Sequence, residues 1–211
     1  MKLVIIEDQT LIQELLVMAC RISYPDAQIH AASTAAEGLE LCRTHIPNVV
    51  LLDVVLPDRD GLELLPAIRD SSPDAKILVL SSHTDEFTLH RAYEAGVNGF
   101  VDKNLQTLEV LHEAVSAVLE GKNYASSAVQ KVRAQTRADP RSFAKVLSDR
   151  ELELLVHFGY GRSNEEVAGV VELSPRTVRN HRHNIMRKLG IKSTPQLIRY
   201  ALDKGFTRSR A

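Results

Sequence analysis

The first 120 residues alternate short apolar runs with longer segments of helical periodicity, and this alternation constrains the fold more than any other feature of the chain. The apolar runs, each interpreted as a buried strand, are KLVII (2–6), AQIHA (27–31), NVVLL (48–52), KILVL (76–80) and GFV (99–101). The amphipathic segments that follow them, each interpreted as a helix, lie near 10–23, 34–45, 61–70, 86–95 and 105–120. Five such units in succession predict a five-stranded, doubly wound parallel sheet.

The remainder of the chain has a different pattern. Residues 121–146 have no sustained apolar stripe and carry six Lys or Arg, so we interpret them as a linker. From 147 to 211 the pattern predicts an all-α domain, and no run there resembles a strand. Its four short helices are expected near 149–158, 163–171, 175–189 and 194–204. The sequence therefore predicts an α/β domain at 1–120, the linker, and a four-helix domain at 147–211.

The overall charge of −1 hides a strong asymmetry between the two parts. Residues 1–120 contain 8 Lys and Arg against 19 Asp and Glu, a net charge of −11, whereas residues 121–211 contain 18 against 8, a net charge of +10. Such a division suggests an acidic module joined to one that binds a polyanion. The longest apolar runs fall far short of the roughly 20 residues that a membrane span needs, so we expect a cytoplasmic protein without a membrane partner.

Polar side chains follow four of the five predicted strands. Glu7 and Asp8 follow the first strand, Asp53 the third, Ser81 the fourth and Lys103 the fifth. The carboxyl ends of parallel strands meet at one edge of a sheet, so we expect these side chains to converge. Two carboxylates about 4 Å apart repel by roughly 4 kcal/mol at an effective dielectric constant of ~20, which a divalent cation would offset. An all-oxygen set without nearby His or Cys favours Mg²⁺.

These residues, in their sequence contexts, resemble the receiver domain of two-component response regulators across residues 1–120. The segment LLDVVLPDRDG places Pro57 and Gly61 after Asp53, and FVDKN places Phe100 three residues before Lys103. The resemblance implies a flavodoxin-like fold in which Asp53 accepts a phosphoryl group from a sensor histidine kinase. It also implies that Lys103 pairs with the phosphoryl group, that the Ser81 hydroxyl moves to hydrogen-bond it, and that Phe100 then moves inward.

The same resemblance implies a metal site. Asp8, Asp53 and the main-chain carbonyl of Val55 would hold Mg²⁺. Glu7 stands where the family often has Asp, and its longer side chain is expected to reach the metal through water.

The segment LSPRTVRNHRHNIMRKLGIKS predicts a helix with a strongly polar face. Ser174 suits the N-cap and Pro175 the first helical position. Val178, Ile185 and Leu189 share one face, and the preceding segment supplies an apolar stripe to pack against it. Arg and Asn on the opposite face can bind guanine or adenine bidentately, so the pair is interpreted as a helix-turn-helix whose second helix enters the major groove. The polar residues of that face are Arg176, Arg179, Asn180, His183 and Arg187.

Together with LSDRELELL and SNEEVA, this helix resembles the LuxR-type helix-turn-helix of the NarL/FixJ subfamily. The resemblance implies that Arg179, Asn180 and His183 face bases. The residues assigned to phosphates are Arg176, Thr177, Arg187, Lys188, Lys192 and Ser193. Arg182 lies toward the core side of the helix, so we expect its stem to pack and its guanidinium to point outward.

The combined resemblance implies a phosphorylation-dependent DNA-binding transcription regulator rather than an enzyme. Its expected partners are double-stranded DNA, a sensor histidine kinase and, on phosphorylation, a second copy of the chain; RNA polymerase is a further candidate. One alternative is a phosphohydrolase of the haloacid dehalogenase type, but that family has a second aspartate two residues after the nucleophile, where Val55 stands here. Another is a phosphorylation-independent DNA-binding regulator whose receiver serves as a dimerisation module.

Overall fold

The computed structural model describes residues 1–105 and 107–207 of the chain, with the side chain of Leu105 excluded. The chain forms two compact units. The first comprises residues 1–84 and 91–131, and the second comprises residues 85–90 and 132–211. No helix of the described residues is long and apolar enough to cross a bilayer.

The first unit contains a parallel sheet with strand order β2-β1-β3-β4-β5-β6. The strands are β1 (Lys2–Ile6), β2 (Gln28–Ala32), β3 (Val49–Asp53), β4 (Lys76–Ser81), β5 (Gly99–Asp102) and β6 (Tyr124–Ala125). Strand order reverses between β1 and β3, which confirms the doubly wound α/β class. The five predicted strands are present. The sixth has only two residues and lies within the predicted linker, where so short a segment carries no periodic signal.

Of the helices described in this part of the chain, the first five lie where the sequence predicted helices, and the last lies within the segment interpreted as a linker. They are α1 (Thr10–Ser23), α2 (Ala35–His45), α3 (Leu65–Ser71), α4 (Glu86–Glu94), α5 (Leu108–Leu119) and α6 (Ser127–Ala138). One face of the sheet packs against α1 and α5 through a core that includes Leu3, Leu51 and Val115. The central strands are buried on both faces, which explains why their sequences are continuous apolar runs instead of alternating ones. The predicted helix at 61–70 is a 3₁₀ turn, Gly61–Leu64, followed by α3.

The second unit is helical, as predicted. It contains α7 (Phe143–Val146), α8 (Asp149–Gly159), α9 (Asn164–Val171), α10 (Pro175–Leu189) and α11 (Thr194–Asp203). Ser148 and Ser163 form capping boxes at the starts of α8 and α9, and Ser174 caps α10 by accepting a hydrogen bond from the Thr177 amide. Phe143 lies in the predicted linker, yet it is fully buried in the core of this unit.

A close backbone approach shapes the turn after β3. The Gly61 amide donates a hydrogen bond to the Val54 carbonyl at 2.8 Å, and the Val55 and Asp60 backbones form an antiparallel bridge. A Cβ atom at Gly61 would lie 1.9 Å from the Asp53 carbonyl oxygen, which is far inside van der Waals contact. Only glycine therefore fits here, and the reason is steric rather than a requirement for positive φ.

We expect Gly61→Ala to destabilise the chain, because the added methyl group must push the end of β3 or the turn out of place. Forced overpacking of this kind typically costs about 1–3 kcal/mol. Gly169→Ala is the matched control, since nothing lies within 4 Å of a Cβ at that helical glycine, and it should leave stability unchanged or slightly raised. Urea unfolding of the full chain checks this; equal midpoints for Gly61→Ala and the unaltered chain would contradict the steric argument.

Candidate functional site

Four charged side chains meet at the carboxyl edge of the sheet. Carboxylate oxygens of Glu7, Asp8 and Asp53 lie within 4.8 Å of one another. The Lys103 ammonium, which directly follows β5, lies 2.5 Å from Glu7 Oε2 and 2.8 Å from Asp53 Oδ2. The side chains of Glu7 and Asp53 are 1% and 4% exposed, and that of Lys103 is 9% exposed. The structure thus brings together four of the strand-end residues that the sequence placed in one site, namely Glu7, Asp8, Asp53 and Lys103.

The charges of this group do not balance. Three carboxylates face one ammonium within the described site, and the buried Oε2 atom of Glu7 has Lys103 as its only partner among the described residues. Burial raises the pKa of Glu7 above its ordinary value, and the charge of Asp53 raises it further, against the opposing effect of Lys103. A cluster of closely spaced oxygens with excess negative charge fits a hard divalent cation.

The main chain beside Asp53 is part of the same site. The Val55 amide donates a hydrogen bond to Asp53 Oδ1 at 3.3 Å, while Lys103 contacts Oδ2. Each oxygen of the Asp53 carboxylate therefore faces a different donor. The predicted role of the Val55 carbonyl as a metal ligand stays a prediction.

Ser81 and Phe100 lie on the neighbouring strands β4 and β5. Both are fully buried, so Phe100 is already inside the sheet-helix core in this structure. The Ser81 hydroxyl accepts a hydrogen bond from the His83 amide at 3.1 Å.

Two residues that support the site were missed by the sequence reasoning. Gln13 of α1 donates hydrogen bonds from its amide nitrogen to the carbonyls of Glu7 (2.8 Å) and Ala32 (2.9 Å), and so ties the end of β1 to the end of β2. Asp58, in the loop after β3, accepts from the amides of Ala35 (2.9 Å) and Ala36 (3.1 Å) at the start of α2. The Gln13 contact with Ala32 and both Asp58 contacts join residues 19 to 23 positions apart, so no local pattern signals them.

A second candidate site lies on α10. Val178, Ile185 and Leu189 are buried, as predicted, and the opposite face is exposed. No hydrogen-bond or ion-pair partner for its central polar side chains exists among the described residues. These unpaired side chains are Arg176, Arg179, Asn180 and His183. Lys192, just beyond the helix, is also exposed, and Ser193 is half-buried.

Other residues predicted to contact phosphates already have partners in this unit. The Lys188 ammonium lies 2.6 Å from Glu151 Oε2 of α8, a side chain that is 7% exposed. The Arg187 guanidinium donates to Asn184 at 3.2 Å, and the hydroxyls of Thr177 and Ser174 are hydrogen-bonded at 2.8 Å. This contact favours a structural role for Lys188, because its release would leave the nearly buried Glu151 carboxylate without its cation.

The expectation that the Arg182 guanidinium points outward is wrong. Its guanidinium does not point away from the protein but lies over the Phe158 ring, with 4.2 Å between the guanidinium carbon and the ring centroid. It also donates a hydrogen bond to the Arg162 carbonyl at 2.6 Å. An aromatic face attracts a guanidinium, which a helical wheel cannot reveal because the ring belongs to another helix.

Comparisons with protein families match both parts of the chain. Residues 3–116 match the response regulator receiver domain, and residues 145–201 match the bacterial regulatory proteins of the luxR family. Among curated relatives, the oxygen regulatory protein NreC of Staphylococcus epidermidis is 34% identical over 217 positions, covering 97% of this chain and 98% of NreC. The transcriptional regulatory protein MctR of Rhizobium johnstonii is also 34% identical, covering 82% of this chain and 80% of MctR.

Solved structures of response regulators share the fold. RcsB of Salmonella enterica serovar Typhimurium, bound to a promoter in the presence of the phosphomimetic BeF₃⁻, has a TM-score of 0.63 and 21% identity, covering 97% of this chain and 98% of RcsB. The response regulator ChrA of a heme-sensing two-component system has a TM-score of 0.54 and 27% identity over 98% of both chains.

The family consists of DNA-binding transcription regulators and not of enzymes, which excludes the phosphohydrolase alternative. Receiver domains bind Mg²⁺ at acidic residues, and the cluster of Glu7, Asp8 and Asp53 supplies such a group here. Both halves of the chain match in the expected order, and the match to NreC spans nearly its whole length. The chain therefore belongs to the NarL/FixJ-type response regulators, in which a receiver domain precedes a LuxR-type DNA-binding domain.

Proposed function

We propose that phosphorylation of Asp53 by a sensor histidine kinase controls the binding of this regulator to promoter DNA. The observation that carries the proposal is the buried contact between Asp53 and Lys103, which pairs a nucleophile with the cation that its phosphorylated form requires. In this proposal residues 1–120 form the receiver, residues 121–146 join the two parts, and residues 147–211 bind DNA.

The chemistry follows from the two donors that face Asp53. An Asp53 oxygen forms a bond to the phosphorus as the bond between phosphorus and the imidazole nitrogen of the kinase breaks. The Val55 amide holds one oxygen of the carboxylate, which orients it for attack. Lys103, within 2.8 Å of the other oxygen, pairs with the transferred phosphoryl group.

We propose that Asp8, Asp53 and the Val55 carbonyl hold Mg²⁺, and that Glu7 reaches it through water. When bound there, Mg²⁺ would supply positive charge to neutralise the phosphoryl oxygens during transfer. The charge and type of the ligand atoms support Mg²⁺ at this site. Three carboxylates converge around one ammonium, and all of the candidate ligand atoms are oxygens.

The switch then acts through Ser81 and Phe100. Phosphorylation adds nearly two negative charges to a buried site. The Ser81 hydroxyl exchanges its contact with the His83 amide for one with the phosphoryl group, and Phe100 changes its packing behind it. We propose that this reshapes the surface around Tyr93 and Val97 and favours pairing of two copies, each presenting α10 to one half-site of the DNA.

On the DNA, α10 enters the major groove. Arg179, Asn180 and His183 are exposed, share the polar face and have no competing partner in the described chain, so they are the candidates for base edges. Arg176, Arg187, Lys192, Thr177 and Ser193 are the candidates for phosphates. Lys188 was predicted to join them, but its ion pair with Glu151 makes it the weakest candidate.

Asp53→Asn should abolish phosphoryl uptake without unfolding the chain, because the amide is nearly isosteric but is not a nucleophile. Incubation with labelled acetyl phosphate and Mg²⁺ tests this, with Asp74→Asn as the control, since Asp74 is an exposed aspartate of the same unit. Labelling of Asp53→Asn would overturn the assignment. An unaltered chain that takes up no label would instead support the phosphorylation-independent alternative.

The same pair of variants tests the output of the switch. With Mg²⁺ and beryllofluoride, the unaltered chain and Asp74→Asn should associate more strongly in sedimentation experiments, whereas Asp53→Asn should not respond. Moving an equilibrium from 1:99 to 99:1 takes about 5.5 kcal/mol, which several charge-assisted contacts to one phosphoryl group can supply. An unchanged association constant with beryllofluoride bound would show that pairing is not the output.

Glu7→Gln should stabilise the chain at neutral pH when Mg²⁺ is absent. The pKa of Glu7 is raised by folding, so the folded chain binds this proton more tightly than the unfolded chain does. The stability that this tighter proton binding gives the folded chain is fully present below the ordinary pKa of 4.5. It is lost as pH rises through the higher pKa that Glu7 has in the folded chain. The urea midpoint should therefore rise more at pH 7 than at pH 4, with exposed Glu63→Gln as the control. An equal shift at both pH values would contradict the argument.

Arg179→Ala and Asn180→Ala should each reduce the preference for specific DNA by about 1–3 kcal/mol, because each variant removes one bidentate hydrogen-bonded pairing with a base. Arg176→Ala and Lys192→Ala are the comparison, because removal of a phosphate contact weakens binding to all DNA about equally. Affinities for a duplex selected from random sequence and for an unselected duplex measure the difference. If each of the four variants weakens binding to the selected and the unselected duplex by the same factor, α10 does not read bases.

A further inference from the structure

Arg182 interrupts the apolar stripe of α10. Val178, Ile185 and Leu189 are buried along one face, and residue 182 follows Val178 by four positions and precedes Ile185 by three. This spacing places it on the same face, where an aliphatic side chain would continue the stripe. A cation occupies the position instead, so apolar packing alone does not explain the residue.

The contacts of Arg182 fix the direction of its planar guanidinium. The group lies over the Phe158 ring of α8 and donates one hydrogen bond to the Arg162 carbonyl, which belongs to the turn between α8 and α9. Its Nε is buried and has no hydrogen-bond partner among the described residues. The ring contact and the hydrogen bond hold the guanidinium at two points, so Arg182 joins α10 both to α8 and to the turn.

The acceptor of that hydrogen bond is itself held in place. The Arg162 guanidinium contacts His157 Nδ1 of α8 at 2.8 Å, and the histidine nitrogen must accept because a guanidinium has only donors. The carbonyl that Arg182 uses therefore belongs to a residue whose side chain is anchored on α8. The Arg182 hydrogen bond therefore connects α10 to a turn that is itself hydrogen-bonded to α8.

We propose that Arg182 is a positioning residue for DNA recognition, one that sets the rotation of α10 about its own axis without touching DNA. This inference rests on the proposed function of α10. Val178, Ile185 and Leu189 hold α10 against its neighbours by apolar packing, which is non-directional. Lys188 and Glu151 constrain the last turn of the helix. Arg182 constrains its middle, beside the base-reading candidates Arg179 and His183.

The Arg182→Leu variant tests whether Arg182 affects DNA recognition without contributing to the stability of the fold. Leucine completes the apolar stripe, so thermal unfolding of the full chain should be unchanged or shifted upward. The ratio of affinities for the selected and unselected duplexes should nevertheless fall by about tenfold, the scale of discrimination that one bidentate pairing with a base provides. The dependence of affinity on salt should stay the same, because no phosphate contact is removed. Arg182→Lys should lower the ratio as well, because an ammonium cannot stack and donate with the geometry of the planar guanidinium.

The other possible results either contradict the proposal or check its control. If Arg182→Leu weakens both duplexes equally and reduces the salt slope by about 0.9, the residue contacts a phosphate and the proposal is wrong. Arg199→Leu is the control for removal of a positive charge from an exposed site of α11 and should leave the ratio unchanged. The ratio is measured with one protein preparation for both duplexes, so it does not depend on the folded fraction.

The experiment also distinguishes this inference from the proposed function. If Arg179→Ala and Asn180→Ala lower the ratio but Arg182→Leu and Arg182→Lys do not, only the positioning role fails. If none of the four variants changes the ratio, α10 is not the reading helix and the proposed function fails with it.

Discussion

The ammonium of Lys103 is the charge on which the receiver site depends. It lies between two nearly buried carboxylates, Glu7 and Asp53, at the edge of a sheet whose strands are otherwise apolar. Without it, two neighbouring anions would be desolvated with no compensating charge, which typically costs several kcal/mol. The contacts that hold this edge together also serve the proposed chemistry, because the phosphoryl group on Asp53 needs the same cation. Lys103, which follows β5, therefore links Asp53 at the end of β3 to Glu7 after β1.

The sequence predicted the parts of this arrangement that follow from topology. Glu7, Asp53 and Lys103 each end or follow an apolar run, and parallel strands bring such positions to one edge. It could not predict the hydrogen bond from Gln13 to Ala32 or the one from Ala35 to Asp58, because each joins residues that are 19 or 23 positions apart along the chain. Local periodicity predicts which face of a helix or strand is buried. It does not predict which side chain of another element contacts that face.

The same limit explains the two unexpected contacts on α10. Lys188 falls at the polar edge of the helical wheel and was assigned to phosphates, but the nearly buried Glu151 requires a cation and Lys188 is within reach. Glu151 also closes the capping box of α8, so one carboxylate serves the start of α8 and the end of α10. Arg182 was expected to extend outward, and the Phe158 ring holds it instead. In both cases a cation that could have met DNA is used within the protein, which leaves fewer cations for phosphates than the sequence suggests.

The two sites differ in how salt affects them. The charges around Asp53 are buried and close together, so dissolved ions screen them weakly. The contacts proposed for α10 are exposed and involve phosphates, and affinity that comes from such contacts falls steeply as salt rises. Affinity from exposed phosphate contacts depends strongly on salt, whereas the interactions around Asp53 do not. The salt dependence of DNA binding therefore distinguishes the two sites. Pairing of two copies doubles the number of α10 helices on one DNA, so it should steepen the salt dependence of the complex. An effect of phosphorylation confined to the receiver site would leave that slope unchanged. The slope of affinity against salt thus reports how many copies of α10 contact the DNA, independently of how tightly each binds.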